Sequence, residues 1–135
     1  MMHTLKNGMV GIMVLLLASC ATTEKFPVSE VLPAADITVK TKQDKHNNSK
    51  ITVKAKNLAS PERLNPSKSF YVVWVESDEG IKNVGQLTNK NARKAELETL
   101  TPFEVNAIFI TAEERGDISY PVGMEISRVT YDNIE

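Results

Sequence analysis

Phe70-Tyr71-Val72-Val73-Trp74-Val75 is the most apolar run after residue 20. It is short, β-branched and aromatic, and the turn-forming Ser77-Asp78-Glu79-Gly80 follows closely. A run of this length and type predicts a central β-strand covered on both faces. Residues 81–87 read as the returning strand, and Gly85 inside it predicts a bulge or a close backbone approach. A second strand of the same kind is expected over 105–112. There Val105, Ala107 and Phe109 form one face, while Ile108, Ile110 and Ala112 add another.

The flanking segments alternate with period two. Ile37, Val39 and Thr41 alternate with Thr38, Lys40 and Lys42. After the polar turn at 44–49, Ile51, Val53 and Ala55 alternate with Thr52, Lys54 and Lys56. This predicts a hairpin with one buried face. Residues 59–69 read as a loop broken by Pro61 and Pro66, with one helical turn capped by Ser60. Residues 88–93 are polar and turn-like, and 94–99 alternate as a half-exposed strand. In the last strand Met124 and Ile126 lie on one parity, Val129 and Tyr131 on the other. That phase change predicts a bulge near Ser127. The expectation is an all-β domain over residues 36–131: a small antiparallel immunoglobulin-like sandwich of about seven strands, with a small open barrel as the alternative.

Five segments form an ordered series: Tyr71-Val72-Val73-Trp74-Val75, Asn83-Val84-Gly85-Gln86-Leu87, Pro102-Phe103, Ile110-Thr111-Ala112-Glu113 and Pro121-Val122-Gly123. The series resembles the extracytoplasmic β-sandwich of anti-sigma-K factors and related envelope proteins, over roughly residues 70–130. The resemblance implies a sandwich fold and no catalytic residues. That family's sigma-binding module precedes a membrane helix, and neither is read here, so sigma-factor control is not implied.

The N-terminal residues are read apart from the fold. Lys6 is the only Lys or Arg before Cys20, the apolar run 9–17 follows it, and Ala18 and Ser19 precede the cysteine. A transmembrane helix needs about 20 apolar residues, so this order predicts a signal peptide over 1–19. Leu17-Ala18-Ser19-Cys20 resembles the lipobox of bacterial lipoproteins, and Cys20 is the only cysteine. The resemblance implies a diacylglyceryl group on Cys20 Sγ, cleavage before it and acylation of the new amine. Two or three acyl chains hold a protein on a membrane where one binds only marginally. An ordinary signal peptide with an incidental cysteine is the alternative. Residues 20–35, interrupted by Pro27 and Pro33, read as the lipidated N-terminus and a tether. In the other reading Phe26, Val28, Val31 and Leu32 dock as an edge segment. Ala21 stands where many lipoproteins retained at the inner membrane carry Asp. The expected location is therefore the cell envelope: the outer membrane in a Gram-negative host, otherwise the outer face of the cell membrane.

Loss of residues 1–19 leaves fifteen basic against seventeen acidic side chains, a net charge of −2. Nothing global then draws the chain to nucleic acid. Lys40, Lys42, Lys50, Lys54 and Lys56 nevertheless share the outward parity of the predicted hairpin. One reading is contact with anionic lipid headgroups or an anionic envelope polymer. The other is a solvated face whose lysines block edge-to-edge aggregation. His46 stands alone in a polar turn, with no ligand set for a metal. Ser49-Lys50 and Ser67-Lys68 are adjacent pairs that diverge on an extended chain, as do Glu113 and Glu114. Glu76, Asp78, Glu79 and Asp117 belong to turns and would bind calcium only if those turns met. Tyr71 and Trp74 read as core, with a ligand groove as the alternative. The expectation is a non-enzymatic lipoprotein that binds a protein or envelope component and uses no cofactor. The alternatives are a structural accessory of an envelope complex or a hydrolase with an unrecognised site.

Overall fold

The computed structural model describes residues 21–91 and 93–131. Residues 1–19, expected to be a signal peptide, and Cys20 lie outside the described residues. Among the described residues nine strands form two antiparallel sheets. They are β1 (Thr22–Lys25), β2 (Asp36–Gln43), β3 (Ser49–Lys56), β4 (Phe70–Ser77), β5 (Gly80–Gln86), β6 (Thr88–Asn91), β7 (Lys94–Thr101), β8 (Ala107–Glu113) and β9 (Met124–Thr130). The first sheet runs β1-β2-β3-β7-β6 and the second β5-β4-β8-β9. Omitting β1, these are the two sheets of an immunoglobulin-like sandwich with one added strand beside the third.

The alternating segments behave as their patterns require. Ile37, Val39, Ile51, Val53, Ala55 and Ala95 point from the first sheet onto Tyr71, Val73, Val75, Ile108, Ile110 and Ala112 of the second. Phe26, Ile126 and Val129 close this layer. Both anticipated bulges are present. Gly85, at φ 134°, marks a register shift between β4 and β5, and its missing side chain leaves room for Leu97. In β9 the partners of Ile110 and Thr111 are Ser127 and Glu125, so Ile126 is the extra residue. That insertion lets both Ile126 and Ser127 be buried.

The count exceeds the expected seven because two polar segments also pair. β6 lies where a turn was expected, and β1 lies inside the expected tether. Neither has an apolar face; backbone hydrogen bonding to an existing strand is enough to hold an edge. The boundary at residue 36 therefore moves back. Thr22 to Lys25 pair with Thr41 to Thr38, and Phe26 follows into the core at 3% exposure. The buried Ser29 hydroxyl accepts the N–H groups of Val31 and Leu32, turning the chain between the two prolines. Val28 and Val31 stay exposed while Leu32 packs on the core, so the docking reading holds for Phe26 and Leu32 and not for the two valines.

The loop from β3 to β4 contains the expected helical turn, Pro61–Arg63. Ser60 does not cap it, because its hydroxyl donates to the Glu62 carboxylate. Tyr71 fastens this loop by donating its hydroxyl to the Ala59 carbonyl at 2.6 Å. Burial, with the Glu62 carboxylate adding to it, pushes the Tyr71 phenol up to about 12. A phenol that ionises near 10 in the unfolded chain then favours the folded state fully below pH 10. That contribution falls away as pH rises from about 10 to about 12. Tyr71→Phe should remove one tyrosinate absorbance step near pH 12 and flatten the loss of stability across that window. A lost step near pH 10 instead would contradict the assignment.

Candidate functional site

Two surfaces stand out, one on each sheet. The outer face of the first sheet is built by the parity already described. The register places its outward residues in four rows. The row nearest the β2–β3 turn holds Lys42, Lys50 and Leu100. The next holds Thr23, Lys40, Thr52 and Glu98. The third holds Lys25, Thr38, Lys54, Glu96 and Thr88. The last holds Asp36, Lys56 and Lys94. All five lysines singled out from sequence are exposed on this one face, and Lys25 and Lys94 join them.

The charges on this face are only partly compensated. Lys50 meets Glu98 at 2.7 Å, which holds the Glu98 carboxyl below its usual range, and Lys25 meets Asp36 at 3.7 Å. Among the described residues Lys40, Lys42, Lys54, Lys56 and Lys94 have no carboxylate within 4.0 Å. Lys42 faces Lys50 directly across the β2–β3 pair, and Lys56 faces Lys94 across β3–β7. Directly opposed like charges destabilise a sheet. The β2–β3 turn is held by Asp44, whose carboxylate accepts the N–H groups of Asn48 and His46 and is kept acidic by them. His46 projects from that turn into solvent.

The second sheet is covered on its outer face by the loop 114–123, which the sequence did not indicate. Val72, Trp74 and Phe109 point outward from β4 and β8, and Ile118 of the loop packs on them. The Trp74 and Phe109 rings stack with centroids 6.3 Å apart, and the Arg128 guanidinium sits 4.2 Å over Phe109. In immunoglobulin domains the corresponding tryptophan lies between the sheets. Here Tyr71, Val73 and Val75 occupy that layer, and Trp74 forms a second core beneath the loop.

Glu113 locks this loop. It is a carboxylate at 1% exposure at the end of the wholly buried β8. One oxygen, Oε2, accepts the Thr111 hydroxyl at 2.6 Å and the N–H groups of Val122 and Gly123 at 3.2 and 3.0 Å. Thr111 in turn accepts the Trp74 indole N–H at 2.8 Å. The other oxygen, Oε1, has no hydrogen-bond donor among the described residues. At the loop's opposite end the Asn83 amide donates to the carbonyls of Gly116 and Ile118, both at 2.9 Å. The only sequence signal for this lock was an acid closing a strand with two apolar faces.

The remaining candidates are dispersed. Glu113 and Glu114 diverge as expected, Glu114 pairing outward with Lys68 at 3.6 Å. Glu76 accepts from Arg128, Asp78 from the Asn106 amide, and Asp117 from Arg115. These turns do not converge, and no group of three metal-ligating side chains occurs among the described residues. Ser49 lines a cleft of about 290 Å³ with Thr22 and Tyr131, while its neighbour Lys50 points to the outer face. Tyr71 and Trp74 are both core, on opposite faces of β4.

No protein-family model, curated protein or solved structure matches this chain. The functional reading therefore rests on these surfaces and on the residues before them.

Proposed function

We propose that this chain is a lipid-anchored lipoprotein of the bacterial envelope, whose β-sandwich is a non-catalytic binding domain. Cys20 carries the lipid, and residues 1–19 are the export signal. The observation that supports this reading is position. The lipobox-like Leu17-Ala18-Ser19-Cys20 ends two residues before Thr22, where the paired strands begin. A cleavage before Cys20 would remove none of the described strands and leave the acyl chains next to a folded edge. Ala21 favours the outer membrane if the host is Gram-negative, and the outer face of the cell membrane is the location otherwise. The likeness of residues 70–130 to the extracytoplasmic sandwich of anti-sigma-K factors fits the same compartment.

The partner is an envelope component met by an exposed surface. The lysine face favours an anionic one, lipid or polymer. A protein partner, with the chain acting as an accessory of an envelope complex, is favoured by a different feature. Tyr120 and Val122 flank Pro121 near the closing end of loop 114–123 and are 68% and 70% exposed.

Cys20→Ser should shift the protein from the membrane to the soluble fraction, or leave it uncleaved. It should also abolish incorporation of labelled palmitate, with the unfolding transition unchanged. A variant that still takes up the label, or a parent that never does, would end the lipoprotein reading.

A further inference from the structure

We propose that the outer face of the first sheet lies flat on the membrane that holds the anchor, its lysines against anionic phospholipid headgroups. This rests on the lipid-anchor reading above and adds to it an orientation and a chemical partner.

Chain length comes first. Only Ala21 stands between Cys20 and Thr22, so those two Cα atoms lie within about 7 Å of each other. A tether of 15 residues would let the domain roam up to roughly 50 Å from the bilayer; one residue does not. Thr22 opens β1, an edge of the lysine-bearing sheet, and pairs with Thr41 beside Lys42. The lipid therefore leaves from a corner of this face.

The charge pattern comes second. The face carries seven lysines against three carboxylates, Asp36, Glu96 and Glu98. Many of the acids lie elsewhere: Glu76, Asp78, Glu79, Glu114, Asp117 and Glu125 belong to the second sheet and its loops. A mature chain of net charge −2 is thus polarised across its thickness. Its basic side would turn toward an anionic surface and its acidic side away. The opposed pairs Lys42–Lys50 and Lys56–Lys94 sit at the two ends of the face. Headgroup phosphates would relieve the repulsion in both. At the far end, a depression of about 330 Å³ is lined by Lys54, Lys56 and Lys94 together with the carboxylates Asp36 and Glu96, so a phosphate would sit on its lysine side. Because both ends carry this feature, the contact is flat and not confined to the β2–β3 turn. Weak individual contacts suffice, since the anchor holds the face at high effective concentration.

The test uses the lipidated protein in vesicles of phosphatidylethanolamine, with and without phosphatidylglycerol. Lysine acylation is read residue by residue by mass spectrometry. With phosphatidylglycerol, Lys40, Lys54 and Lys56 should lose reactivity together with Lys42 and Lys50. Lys82, exposed on β5 of the other sheet, should stay reactive throughout. Protection of Lys42, Lys45 and Lys50 alone would mean an end-on contact and overturn the proposal, as would equal reactivity in both vesicles. A second arm uses the mature chain carrying Cys20→Ser, which needs no lipidation. Its partition onto phosphatidylglycerol vesicles should fall about 30-fold with Lys54→Gln/Lys56→Gln, and as much with Lys42→Gln/Lys50→Gln. Binding should vanish in 1 M salt, where the Debye length is about 3 Å. Retention on dextran sulfate without vesicle binding would assign the face to a soluble polymer and refute the lipid. Absence of lipid on Cys20, with the second arm intact, would remove the anchor reading and leave the face standing.

Discussion

Glu113→Ala is expected to destabilise the sandwich by about 3 kcal/mol, lowering the melting temperature by about 15 °C. Among the described residues the carboxylate oxygen Oε2 is the acceptor for the Val122 and Gly123 N–H groups and for the Thr111 hydroxyl. Removing it strands three donors under the loop. Each buried donor left unpaired costs roughly 1–3 kcal/mol, less where water enters or a hydroxyl rotates away. Glu113→Gln separates acceptor from charge. Its amide oxygen can still accept at the Oε2 position, but its NH2 takes the buried place of Oε1, which has no partner among the described residues, so an intermediate loss of about 2 kcal/mol is expected. Equal losses for the two variants would mean that the acceptor at the Oε2 position is not what holds the loop. Trp74 reports the outcome directly. It is the only tryptophan, fully buried and linked to Glu113 through Thr111. Red-shifted emission of folded Glu113→Ala, with β-sheet circular dichroism retained, is the expected signature of a lifted loop.

Gly123→Ala is expected to cost about 3 kcal/mol through sterics at the same place. A Cβ there would lie 1.8 Å from the Ala112 carbonyl oxygen and 3.0 Å from Glu113 Oε1. The first neighbour is backbone of the central strand β8 and cannot swing aside, so the loop must move instead. Two other glycines calibrate this. At Gly116 the added methyl meets only the flexible Gln86 side chain, so alanine should be nearly neutral. At Gly80 there is open space, but φ is +117°, so alanine should cost about 1 kcal/mol in backbone strain. Since Glu113→Ala and Gly123→Ala lift the same segment, their double variant should fall short of additivity by 1 kcal/mol or more. Urea unfolding followed by Trp74 fluorescence measures the cycle. Strict additivity would show that the loop does not respond as one unit.

The apolar segments were legible because burial imposes a period. Ile37, Val39, Ile51 and Val53 reveal a strand and its inward face without any knowledge of the partner. The two apolar faces at 70–75 showed that β4 is covered twice, and the parity change near Ser127 located a bulge. β1 and β6 left no such mark. Their side chains are polar, and their pairing uses backbone groups that every residue carries. Glu113 could not be assigned because its two backbone donors lie nine and ten residues onward, in a loop with no period of its own.

The sequence by itself determined which residues of the alternating segments face inward, that the fold is all-β with a sandwich or a small open barrel to choose between, and that five lysines share one outer parity. Side-chain alternation is a property of a single extended chain, so it needs no tertiary information. Only the tertiary structure decided that Lys42 meets Lys50, that Lys56 meets Lys94 and that Lys25 and Lys94 extend the face. It alone brought β1 to the edge of that sheet and loop 114–123 over Trp74. Those facts depend on register and on loop closure. Both are set by the sum of many weak contacts between distant segments and by no local run of residues.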